Sequence, residues 1–352
     1  YEGFDISKDQ TSGAYVFRPK NDTPIELPKQ AKLEYSKGDL MQEARQLFNP
    51  WVSQSVRVYN GSRNVHFSWT IGPIPKEKSN PVAKEVITRY TTAIKSAGIF
   101  HTDANGRQFM KRTRNAHPSF AYQNTEPVAA NYYPITSGVY IADDSAQLSV
   151  LVDRAEGATS LTDGVIDVML HRRLFVDDHW GVEEALDEPG ADGRGLVVTG
   201  EHVVQIGCIK KAPRLLRTGQ HDMFHRPIAS FAAIKDVKKY REAFETNFTG
   251  LSRALPPEVN VLTLAKWNGR QIILRLEHLY QANEIASDEA SVTVDLKNLF
   301  TTINVTSATE VLLAGIRTPP AQKALPHGQL RIALLPMEIR TFLLDYAETR
   351  RK

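Results

Sequence analysis

The feature that most constrains this chain is a period-two alternation of apolar and polar residues, repeated in short runs. Residues 51–59 read WVSQSVRVY, a pattern that puts one set of side chains on each face of a strand. Residues 64–71, NVHFSWTI, repeat it, and Asn60-Gly-Ser-Arg63 between them supplies hairpin-turn chemistry. The arrangement recurs at residues 139–141 and 148–152 around Ala142-Asp-Asp-Ser145, and at residues 261–264 and 272–276 around Asn268-Gly269. Residues 292–296, 330–335 and 339–344 add further strands. Helical periodicity is weak. Residues 236–244, DVKKYREAF, form the best short helix, and Val86-Ile-Thr88 argues for a strand within residues 81–90. Many short strands with turns at intervals of about 8 to 12 residues fold as β-sandwiches.

At 352 residues the chain exceeds one ordinary domain. It can bury enough core to do without disulfides. Residues 183–195 are acidic and glycine-rich and read as a solvated loop. Residues 211–257 mix basic residues, prolines and the short helix, and Pro256-Pro257 opens a fresh strand run. The expected fold is mostly β: a large β-sandwich of the supersandwich type over residues 1–250, then a smaller C-terminal β-sandwich over residues 251–352.

Charge and composition narrow the function. The net charge is only +3, and the basic residues are dispersed apart from Lys111-Arg-Thr-Arg114, which argues against a nucleic-acid protein. No apolar run reaches the roughly 18 residues of a membrane-spanning helix. The chain starts at Tyr1 with no basic-then-apolar leader, which fits a proteolytic product or a trimmed chain. Cys208 is alone, so no intrachain disulfide is possible, and its apolar surroundings, Val203-Val-Gln-Ile-Gly-Cys-Ile209, predict a buried, inert thiol. Four sequons, at Asn21, Asn60, Asn247 and Asn304, are a mild excess over chance and favour the secretory pathway.

Several polar constellations stand out. His221-Asp-Met-Phe-His225 spaces two histidines as a zinc-binding helix would. Pro227 follows at once and the flanks read as loop, so a surface segment is the better reading. The acidic residues from Asp177 to Asp192 fit no EF-hand spacing. Glycoside hydrolysis needs two carboxylates about 5 to 9 Å apart across a sugar, and spacing alone selects no such pair. No nucleophile elbow, Walker loop or dinucleotide fingerprint is present. His171-Arg172-Arg173 ends the run Val165-Ile-Asp-Val-Met-Leu170, and strand parity sets Arg172 on the face of Ile166, Val168 and Leu170. An arginine at the end of a buried face needs a partner, either a structural carboxylate such as Asp177 or Asp178, or a group of an active site. Tyr15 is equally ambiguous, as a substrate donor or as an aromatic of a first strand.

A set of longer motifs resolves the family. Ser12-Gly-Ala-Tyr-Val-Phe-Arg-Pro19, Ile71-Gly-Pro-Ile-Pro75, Lys84-Glu-Val-Ile-Thr-Arg89, Thr102-Asp-Ala-Asn-Gly-Arg107, Thr125-Glu-Pro-Val-Ala-Ala-Asn-Tyr-Tyr-Pro134, Leu170-His-Arg-Arg-Leu174, Leu274-Arg-Leu-Glu-His278 and Leu335-Pro-Met-Glu-Ile-Arg-Thr-Phe342 occur in one order. Together they resemble the C-terminal, β-rich half of the class II α-mannosidases, glycoside hydrolase family 38, of the lysosomal or vacuolar branch. The likeness covers nearly the whole chain, with residues 185–255 matching poorly.

The resemblance implies an enzyme that removes terminal α-linked mannose from N-glycans and oligomannosides with retention of configuration. Its zinc ion, nucleophile and acid/base aspartates belong to an N-terminal catalytic α/β part outside this sequence. No catalytic residue and no metal ligand is therefore expected here, and the isolated chain is expected to be inactive. The β part is implied to pack on the catalytic part and to lend residues to the pocket rim: Tyr15 in the S-G-A-Y motif, and Arg172 and Arg173 in the R-R-L motif. Implied partners are the N-terminal peptide, mannose-containing glycans and further copies in a higher oligomer. The implied location is the lysosome or vacuole, or outside the cell. Asn105-Gly106 is expected to be a tight turn and Tyr132-Tyr133 a packed aromatic pair. A carbohydrate-binding module without hydrolase activity and a purely structural sandwich are the competing readings.

Overall fold

The computed structural model describes residues 1–6, 9–121, 123–269, 271–285, 290–320, 326 and 328–349. The chain divides into two compact units, Tyr1–His225 and Arg226–Lys352. The expected division at 250/251 falls inside the second.

The first unit is a sandwich of two antiparallel sheets. Its larger sheet has nine strands: β1 (Lys32–Lys37), β2 (Met41–Asn49), β3 (Val52–Tyr59), β4 (Asn64–Ile71), β6 (Ile99–Ala104), β7 (Gln108–Thr113), β9 (Gly138–Ala142), β10 (Ala146–Val152) and β13 (Val198–Cys208), in the order β1-β2-β3-β4-β13-β10-β9-β6-β7. The smaller sheet is β5 (Lys84–Thr91), β12 (Val165–Arg173), β11 (Glu156–Thr159) and β8 (Tyr133–Ile135), in that order. Both sheets feed one core: Phe100, Val139, Ile141, Val150 and Val152 from the larger meet Ile135, Ala158, Ile166 and Val168 from the smaller. Period-two burial produces this directly, because alternate residues of each strand point inward.

The two hairpins anticipated from alternation in this unit form: β3 pairs with β4, and β9 with β10. Asn105 and Gly106 both take positive φ at the β6–β7 turn, the conformation that an Asn-Gly hairpin turn uses. Asp103 anchors the neighbourhood. Its carboxylate accepts backbone N–H bonds from Gly106, Thr136, Ser137 and Gly138 and a hydroxyl bond from Thr136.

Four expectations are corrected. The segment around His221 and His225, read as a surface loop, instead ends helix α1 (Ala212–Phe224). The helix covers the outer side of the large sheet, where Leu216 and Met223 pack with Phe109, Leu151 and Val203. A Cβ on Gly219 would lie 2.2 Å from the Gln205 amide and 2.7 Å from Leu151, so only glycine lets the helix sit this close. Cys208 is exposed rather than buried. Ile206 is also exposed, so coverage of the β13 face ends before the strand does. Tyr15 lies in a loop, not in a first strand. Tyr132 and Tyr133 do not pack as a pair: Tyr132, just ahead of β8, meets Phe17 edge-on, and Tyr133, the first residue of β8, meets Phe100.

The second unit holds α2 (Val237–Ala243), capped by Asp236 at its N-terminus, where the sequence placed a short helix. Strands β14 (Val259–Lys266), β15 (Gln271–His278), β19 (Ile339–Glu348) and β17 (Ile303–Val311) form one sheet in that order. β16 (Val292–Asp295) and β18 (Arg331–Leu334) form another. Leu274, Leu276, Phe342 and Leu344 meet Val292, Val294, Ile332 and Leu334 in its core. The molecule is mostly β, as the alternation required.

Candidate functional site

Strand β12 decides where the two arginines go. Its register with β5 shifts between Met169 and His171, so one extra residue sits in the strand and the inside–outside alternation reverses beyond it. Simple parity put Arg172 on the face of Ile166 and Val168. The bulge instead turns Arg172 to the opposite face, where Asp167 pairs with Arg89, and gives the core-side position to Arg173.

The two side chains are used differently. Arg173 is 8% exposed and donates from Nε to Asp187 Oδ1 at 2.7 Å and from Nη1 to the carbonyls of Ile74 at 2.6 Å and Arg194 at 2.7 Å. Lys76 pairs with the other oxygen of Asp187. Partial burial pushes the Asp187 carboxyl up, but the bonds from Lys76 and Arg173 outweigh it and hold it below its usual value. Arg172 is 25% exposed and meets the buried Glu85 with two bonds, Nε to Oε2 at 2.7 Å and Nη2 to Oε1 at 2.8 Å. Nη2 also reaches the Val16 carbonyl at 2.9 Å and Ser12 Oγ at 3.2 Å. Nη1 donates no hydrogen bond among the described residues. The partners are Glu85 and Asp187, not the neighbouring Asp177 or Asp178.

Arg172 and Glu85 thus staple the segment that carries Tyr15. Ser12 Oγ bonds Glu85 Oε1 and accepts from the Arg18 N–H. The other side of the segment is held by Asp178, which is fully buried. Its Oδ2 accepts the N–H groups of Tyr15 at 2.6 Å and Val16 at 3.0 Å, and its Oδ1 accepts that of Trp180 at 3.2 Å. Gly13 is required at this crossing, because a Cβ would fall 2.4 Å from that of Asp178. The outcome is a rigid loop with the Tyr15 side chain outside it, 69% exposed and with no hydrogen bond on its hydroxyl among the described residues. A phenol free to donate or accept therefore projects from the loop that Arg172 holds. The arrangement can offer hydrogen bonds to a hydroxyl-rich ligand. The sequence offered Asp178 only as a partner for Arg172; its role as the buried acceptor under the Tyr15 and Val16 N–H groups was not visible there.

His221 and His225 do stack at the end of α1, with ring centroids 5.0 Å apart, and His225 Nδ1 faces the His221 carbonyl at 3.2 Å. No group of three or more His, Cys, Asp or Glu able to hold a metal ion gathers among the described residues. Asn21, Asn60, Asn247 and Asn304 are all exposed. No described helix is long and apolar enough to cross a membrane.

Comparison with known proteins agrees with this picture. Residues 4–180 match the glycosyl hydrolases family 38 C-terminal domain, and residues 258–342 match the family's C-terminal beta sandwich domain. Lysosomal alpha-mannosidase of Bos taurus is 40% identical over 95% of this chain and 35% of its own length. That of Homo sapiens is 38% identical over 96% and 35%, and an alpha-mannosidase of Canavalia ensiformis 34% over 97% and 37%. The chain spans about a third of the length of these curated relatives. A crystal structure of an alpha-mannosidase from Enterococcus faecalis V583 has the same fold, with a TM-score of 0.59 at 12% identity over 90% of this chain and 35% of that one. The chain belongs to glycosyl hydrolase family 38, as its C-terminal, β-rich part.

Proposed function

We propose that this chain is the C-terminal part of an α-mannosidase that hydrolyses terminal α-linked mannose with retention, and that it completes the rim of the sugar pocket. Zinc and the two catalytic carboxylates are assigned to the catalytic part that lies outside this chain, and no step here passes through them. The observation that carries the rim assignment is donor capacity around one stapled loop that no described residue uses: Nη1 of Arg172 and the hydroxyl of Tyr15. Such donors, fixed before substrate arrives, strengthen most where charge develops in the transition state. Arg173, whose Nε and Nη1 are both spent on protein acceptors, supports the rim from behind. The names of the mammalian relatives favour the lysosome. The four exposed sequons fit passage through the secretory pathway, with Asn21, Asn60, Asn247 and Asn304 as acceptors.

An assay against an aryl α-mannoside, of the chain alone and with its catalytic part, tests this reading. Activity only with the catalytic part is the expected result. Mannose binding by the isolated chain, with no hydrolysis in either arrangement, would favour a carbohydrate-binding module.

A further inference from the structure

Trp180 lies two residues beyond Asp178, donates its backbone N–H to that carboxylate, and is 65% exposed. Three features separate it from a tryptophan left on the surface by chance. Its indole N–H is already satisfied, donating to Gln10 Oε1 at 2.8 Å. The Gln10 amide is itself fixed, since its Nε2 donates to the Asp178 carbonyl at 2.7 Å. The preceding residue, His179, takes a positive φ of 59°, a conformation that costs a non-glycine residue energy and gathers at functional sites. Asp177 holds that turn by accepting the His179 N–H at 2.9 Å and pairing with its ring at 3.1 Å. The ring is therefore ordered without being covered.

A bonded indole N–H leaves only an apolar ring face to offer. The Tyr15 hydroxyl, by contrast, bonds nothing among the described residues. The same buried carboxylate holds the backbones of both residues, Tyr15 through Oδ2 and Trp180 through Oδ1, so the two exposed side chains start from neighbouring points of the fold. We propose that Trp180 is a specificity-determining residue: its ring stacks on the saccharide unit next to the terminal mannose, against the apolar C–H face that pyranose sugars present. This rests on the α-mannosidase reading above. Tyr15 and Arg172 serve the terminal sugar by hydrogen bonds, and Trp180, whose backbone shares the Asp178 carboxylate with that of Tyr15, serves its neighbour by area and shape. Pre-ordering by Gln10 spares the entropy of fixing the ring on binding.

The test uses the complete protein that contains this chain and compares α-linked mannobiose with α-mannosyl fluoride, which carries no second sugar. Trp180→Ala should raise KM for mannobiose about tenfold and leave fluoride hydrolysis unchanged. Trp180→Phe should restore most of the loss, and Gln10→Ala should show a smaller change of the same kind. Equal losses on both substrates, or a lowered Tm with no substrate discrimination, would show a ring that packs on other protein and overturn the proposal. An unchanged KM for mannobiose would overturn it too. Failure of the unsubstituted protein to release fluoride would instead remove the mannosidase reading, and this proposal with it.

Discussion

Arg172 and Arg173 are neighbours in sequence and opposites in use. Arg173 lies on the core side of its sheet and spends Nε and Nη1 on Asp187 and two carbonyls. Arg172, turned outward by a bulge, gives Nε and Nη2 to Glu85, Ser12 and Val16 and keeps Nη1 in hand. A paired motif need not mean a paired role. One guanidinium fastens the loop around Asp187, and the other holds the Tyr15 loop while still facing outward.

The comparison is broken most directly by stability and activity measured together. Arg172→Ala strands the buried Glu85 and should cost about 3 kcal/mol of stability by denaturant unfolding, whereas Arg173→Ala leaves Asp187 its Lys76 partner and should cost less. Only Arg172→Ala should also lower kcat/KM, by about a hundredfold, in assays run well below its Tm. Equal activity losses in the two variants would erase the distinction.

A second pair of buried carboxylates sharpens the lesson, with smaller expected effects. Burial raises the carboxyl of Asp103, but five hydrogen bonds outweigh it and hold it below the usual range. The stabilisation by Asp103 is therefore present above its unfolded value and lost as pH falls through its folded one. Asp103→Asn should cost about 2 kcal/mol near neutrality and progressively less in acid. Glu156 has the opposite sign. Burial raises it despite the bond from His202, which also faces the Tyr90 hydroxyl at 3.0 Å. Its contribution is present below the unfolded value and lost as pH rises through the folded one. Glu156→Gln should gain stability relative to the parent as pH rises from the carboxylate range toward neutrality. Thermal melts across pH check both, and parallel profiles would contradict the assignment.

Much of this architecture was legible because alternation is a local code. The strands, their hairpins and the Asn105-Gly106 turn each follow from residues close together. What was not legible depends on contacts from far along the chain. Nothing in Met-Leu-His-Arg-Arg announces a bulge, yet the bulge decides which arginine faces outward. α1 hid because its buried face carries Arg217, Gly219 and Gln220 beside Leu216 and Met223, so no clean apolar stripe appears. Asp178 looked like one more acid in a solvated run, and only the fold brings the N–H groups of Tyr15 and Val16 to it.

The central claim is that a loop fixed by Arg172 and Asp178 presents Tyr15 to substrate. Tyr15→Phe tests it most cleanly, because the exposed hydroxyl bonds nothing among the described residues and its removal leaves the fold untouched. In the complete protein, kcat/KM for an α-mannoside should fall at least tenfold, as for the loss of one donor that tightens in the transition state, with Tm unchanged. An unchanged kcat/KM would contradict the account.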